Sequence, residues 1–205
     1  MELKRERSKK VTFIILNTKN INEEDKLVFL YTKEYGLLKV VAKSARKITS
    51  KFTGKLIQLS YGEAELYFGP QKIIITELKS KNLINDENNL KTIQYAQEIA
   101  KITKSLTHEN QIHTNLIELI IKSVSELKKE KNQEIIFTGF VIKLLEITGL
   151  MPDLNETKSR IQKKYIQIFE KIKKEKFAEI IKINLSNEEE NYIKLKTEEI
   201  LEYLS

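Results

Sequence analysis

Over the first eighty residues the apolar positions fall in short runs rich in β-branched and aromatic side chains, at residues 11–16, 27–32, 37–42, 56–59, 64–68 and 73–78. Each run has the length of a strand, and polar turn chemistry separates one from the next. NINEED precedes the second run, EYG divides the second from the third, and YFGPQK, with Gly69 and Pro70, lies between the last two. Such residues favour tight turns. Five or six strands with no long helix among them predict a small closed or partly closed barrel such as an OB-fold. A small sandwich or an SH3-like barrel fits the same strand count.

Beyond Asn82 the period changes from two to that of a helix. Leu90, Ile93, Ala96, Ile99 or Ala100, and Leu106 mark one amphipathic helix; Ile112, Leu116, Leu119, Ile120, Val124 and Leu127 mark a second. Residues 134–148 are apolar nearly all round, the signature of a helix through the middle of a bundle, and Gly149 and Pro152 stop it. Residues 158–183, with a candidate break near Glu175, and 187–204 complete the set, the last opening on SNEEE, a cap followed by carboxylates that suit the helix dipole. The expected class is α+β: an OB-fold-like β-barrel over residues 1–82, then an all-α helical bundle over residues 83–205.

Charge divides at the same place. The 205 residues carry a net +7, yet residues 1–82 hold 17 Lys and Arg against 9 Asp and Glu, whereas residues 83–205 hold 19 against 20. The excess peaks in KLVFLYTKEYGLLKVVAKSARKITSKFTGKL, where Lys39, Lys43, Arg46, Lys47, Lys51 and Lys55 follow one another with no acid between Glu34 and Glu63. A charge run is ordinarily a solvated face; one confined to a barrel is the footprint of a polyanion binder. Among the interleaved aromatics, Phe52 lies where no strand signal exists and is the candidate for stacking on bases. Tyr35, Tyr61 and Phe68 occupy positions more typical of a core or a sheet edge.

Signals for catalysis are sparse. The chain has no Cys, which removes disulfides, a nucleophilic thiol and thiolate metal sites, and suits a reducing compartment. Its two histidines, His108 and His113, stand five apart in THENQIHT, a spacing that fits neither a zinc helix nor an acid–base pair, and read as solvated loop or cap residues. Glu23, Glu24 and Asp25 read as a polar turn rather than a cation site. No phosphate-binding glycine loop is present. The apolar run 11–16 is too short for a signal peptide and no stretch approaches the ~20 apolar residues of a membrane span. The expectation is a cytoplasmic, non-enzymatic, cofactor-free protein without structural zinc.

DKLVFLYTKEYGLLKVVAKSARK followed by SKFTGKLIQLSYGEAELYFG resembles the N-terminal domain of the RecO family of bacterial recombination mediators, over roughly residues 11–80. TGLMPDLN resembles the family's Gly-aromatic-x-Pro-x-Leu junction, and NEEENYIKLKTEEILEYLS its terminal helix. The resemblance implies an OB-fold, a helical domain and no catalytic site. It further implies binding of single- and double-stranded DNA, strand annealing, contacts with RecR and with the tail of the single-strand-binding protein, and indirect help to RecA. It assigns the basic motif to Lys43, Arg46 and Lys47, with Lys51 in the following segment. Ser44 stands where the family usually has Gly, and NETKSRIQKK offers none of the four cysteines of the family's zinc module. The competing reading is a structural adaptor, with a basic barrel that binds RNA and a bundle that recruits protein partners.

Overall fold

The structure is a computed structural model that describes residues 7–129, 132–152, 163–183 and 185–204. Five strands form the N-terminal part: β1 (Ser8–Asn20), β2 (Lys26–Thr32), β3 (Gly36–Ala42), β4 (Ser60–Phe68) and β5 (Ile73–Asn82). They close in the order β1-β2-β3-β5-β4. This is an OB-like Greek-key barrel. Closure is possible because β1 is long: its first half pairs with β4 and its second half with β2, both antiparallel. A short parallel contact, Val40 with Ile73 and Val41 with Ile74, joins β3 to β5.

Alternation along the strands fills the barrel. Phe13, Ile15, Val28, Leu30, Leu38, Val40, Leu66 and Ile75 point inward and are buried. On the exposed outer side of β1, β4 and β5, opposite charges sit in register, Lys10 against Glu65 and Glu63 against Lys79. On the outer side of β2 and β3, Phe29, Tyr31, Leu37 and Val41 are buried as well, because the segment from Ala100 to Ile117 lies on them: the Lys104 ammonium is 4.5 Å from the Phe29 ring centre, and the Tyr31 hydroxyl accepts the His113 backbone N–H at 2.6 Å. At the β2–β3 turn Gly36 has φ +68°, and a Cβ there would lie 2.1 Å from the Gln111 carbonyl oxygen. Only glycine fits this crossing.

Three sequence expectations need correction here. Residues 56–59 form no strand. Leu59 has φ +65°, outside the β region, and its N–H and C=O make single bonds to Ile15 O and Leu83 N rather than a ladder. Ile112 lies ahead of the second helix, exposed, and His113 beside it is half-buried rather than solvated. Its neighbour in the motif, His108, is exposed.

The helices are α1 (Leu90–Leu106), α2 (Leu116–Leu127), α3 (Gln133–Thr148), α4 (Lys163–Lys174), α5 (Phe177–Ile180) and α6 (Asn187–Leu204). Local chemistry sets their ends. The Asn89 side chain accepts the N–H groups of Lys91 and Thr92 at the start of α1, and Ser186 and Glu189 exchange bonds as a capping box for α6. Gly149, at φ +72°, ends α3. Helix α3 is buried on most sides and packs against α4, α5 and α6; α4 ends at Lys174, so the helical run does break at Glu175. The start expected at residue 158 and most of NETKSRIQKK lie outside the described residues.

The chain divides into two compact units, Met1–Asp86 with Ala100–Ile117, and Glu87–Ile99 with Glu118–Ser205. Among the described residues no helix is long and apolar enough to cross a membrane.

Candidate nucleic-acid interface

Between β3 and β4 the chain leaves the barrel for a loop that carries most of the basic run. Successive i to i+3 backbone bonds shape it: Lys47 N–H to Ser44 O, Ser50 to Lys47, Thr53 to Ser50 and Lys55 to Phe52. The Ser50 hydroxyl accepts the Phe52 N–H at 3.2 Å, and the Thr53 hydroxyl donates to Ser50 O at 2.8 Å. With its backbone groups satisfied internally, the loop has a definite shape from which side chains project.

The acidic turn before β2 anchors it. Asn22 accepts the N–H groups of Glu24 and Asp25 and orients the latter. The Asp25 carboxylate then accepts the Ser44 N–H at 2.8 Å. This bond above all, then the Asn22 amide, and more weakly the charges of Lys72 and Lys43, hold the Asp25 carboxyl below the usual aspartate range. The backbone N–H of Arg46 donates to Glu24 O, its guanidinium donates to Asn22 O at 2.5 Å, and the Lys47 ammonium lies 2.9 Å from Glu24. The turn expected at residues 23–25 is thus a brace for the basic loop. Ser44 itself sits at φ +53°, in the left-handed region where glycine is at ease.

Lys43, Arg46, Lys47, Lys51 and Lys55 are all exposed on this loop. Lys39 is placed apart from them: it projects from the outer face of β3 and pairs with Glu109 at 2.5 Å, on the side covered by the segment from Ala100. Phe52 corrects the expectation of an exposed stacking ring. It is loop-borne, but only 3% exposed and, with Leu56, part of the barrel core, its N–H held by the Ser50 hydroxyl. The Lys51 ammonium lies 5.5 Å from its ring centre. Tyr35 and Phe68 are half-buried against the same core with their rings 5.1 Å apart, and Tyr61 is half-buried.

Two further cations join the cluster. Lys26 shares a groove with Arg46 and Lys47, and Lys72, in the β4–β5 turn, acts on the same carboxylate as Lys43. Neither follows from a reading of local charge. Lys26 arrives through the pairing of β2 with β3, opposite Ala42, and Lys72 through the parallel contact of β3 with β5. A cluster of exposed cations on a braced loop can neutralise several phosphates of one polyanion.

Comparison with known proteins gives the same family for both parts of the chain. The model described as recombination protein O N terminal matches residues 7–84, and that described as recombination protein O C terminal matches residues 87–169. Relatives named DNA repair protein RecO include those of Alkaliphilus metalliredigens, 28% identical over 68% of this chain and 58% of its own, and Clostridium novyi, 32% identical over 68% and 56%. That of Clostridium kluyveri is 27% identical over 96% of this chain and 76% of its own. The matched part thus spans less than two thirds of the length of the first two relatives.

Proposed function

Since the chain belongs to the recombination protein O family, we propose that it acts in DNA repair as a non-enzymatic recombination mediator in the cytoplasm. It binds single- and double-stranded DNA through the loop that carries Lys43, Arg46, Lys47, Lys51 and Lys55, anneals complementary strands and helps load the recombinase. The observation that carries this reading is the braced loop itself: five exposed cations joined by Lys26 and Lys72.

Contacts to phosphate release counterions and give affinity without reading sequence. Two strands whose phosphates are partly neutralised repel each other less, and their base edges stay free to pair. That is the physical requirement for annealing. On this reading the barrel is the DNA-binding domain. The helical residues beyond it are the docking body for RecR and for the tail of the single-strand-binding protein, with RecA served indirectly. These partner assignments rest on the family.

Annealing of two complementary oligonucleotides by the full chain tests the reading. The account expects stoichiometric protein to speed duplex formation at low salt, with the gain falling as salt rises. No binding to either strand at any salt would overturn it.

A further inference from the structure

At the basic loop lies an open groove of about 490 Å³ lined by Asn20, Lys26 and residues of the loop, Ile48 and Ile57 among them. Its volume is in the range of about 300–1,000 Å³ that holds small ligands. Two features go beyond phosphate binding. Ile48 is 97% exposed, and Ile57, in the lining of the same groove, is 44% exposed. Two large apolar side chains left in water in the lining of one concavity offer an apolar contact there. The same lining also holds the cations Lys26, Arg46 and Lys47.

We propose that this groove seats one unpaired base of a bound single strand, with Ile48 and Ile57 as its apolar contacts and Arg46 and Lys47 on the flanking phosphates; the proposal rests on the DNA-binding reading above. A lining that combines apolar and cationic side chains matches a nucleotide, which has a π-face at one end and an anion at the other. An extended peptide fits less well. The N–H groups of Lys47, Thr53 and Lys55 are bonded within the loop and offer no edge for a strand to extend. A base needs no such edge, because every base has a face to pack. Bases stacked inside a duplex cannot enter, so the groove favours single strands. The Lys47–Glu24 pair is about half exposed on both sides and exchanges readily for phosphate.

Binding of the full chain to oligothymidylate and to an abasic deoxyribose-phosphate oligomer of equal length separates base from backbone, because both carry the same charge. The base-bearing strand is expected to bind severalfold more tightly. Ile48→Ser should shrink that preference and Ile48→Ser with Ile57→Ser should abolish it, with the salt dependence unchanged. Equal affinity for the two oligomers, or a preference that survives both substitutions, with salt-dependent binding intact, would overturn the groove proposal and leave the phosphate-binding reading standing. Absence of salt-dependent binding to either oligomer would remove both.

Discussion

The carboxylate of Asp25 accepts the backbone N–H of Ser44 at 2.8 Å, and so ties the turn before β2 to the first residue of the basic loop beyond Lys43. Nineteen residues separate the two in sequence. The bond is stronger while Asp25 is ionised, which gives the loop a pH dependence of known sign. Because the folded carboxyl sits below its ordinary value of 3.8, its contribution is present above that value and lost as pH falls through the lower, folded one. The Ser44 amide resonance should therefore titrate with a midpoint below 3.8, and Asp25→Asn should remove that titration. A midpoint at or above 3.8 in the wild-type chain would contradict the brace.

Ser44 holds a left-handed backbone at φ +53°. Ser44→Val should cost about 1–2 kcal/mol, since a β-branched residue meets the full left-handed penalty, whereas Ser44→Gly should fold at least as stably as wild type. Urea unfolding of the two variants checks the order. Equal stabilities would mean that the loop relaxes away from this conformation.

Phe52 belongs to the barrel core, so its loss should register in folding before it registers in binding. Phe52→Ala should destabilise by about 3–5 kcal/mol and Phe52→Leu by less, with the salt dependence of DNA binding unchanged wherever the protein is folded. A Phe52→Ala variant of wild-type stability with impaired DNA binding would return the ring to the surface.

Much of this was legible in the sequence because it depends on period and local chemistry. The alternation at Val11, Phe13 and Ile15, the turn at Gly69 and Pro70, the apolar circumference of α3 and the cap at Ser186 are each set by neighbours a few residues apart. Leu56 and Leu59 misled because both are buried, as strand residues would be, while a left-handed backbone at Leu59 carries the chain onward without a ladder. Phe52 shows the opposite: absence of strand signal does not imply exposure, because a turn can fold an aromatic ring inward as easily as a strand can. Lys26 and Lys72 could not be joined to the basic run by inspection, since strand pairing brings them there. The periodicity of residues 90–127 likewise carries no sign that Lys104, Glu109 and His113 meet Phe29, Lys39 and Tyr31.

The most direct test of the account is the salt dependence of single-stranded DNA binding by the variant in which Arg46, Lys47 and Lys51 are all Ala. Each lost phosphate contact lowers the slope of log affinity against log salt by about 0.7, so the triple variant should lose roughly 2 from the wild-type slope and bind all sequences proportionately more weakly. Folding should change little, since exposed loop charges are each worth within about 0.5 kcal/mol. A triple variant that folds, binds with the wild-type slope and still anneals strands would show that the basic loop is a solvated face and not the surface that meets DNA.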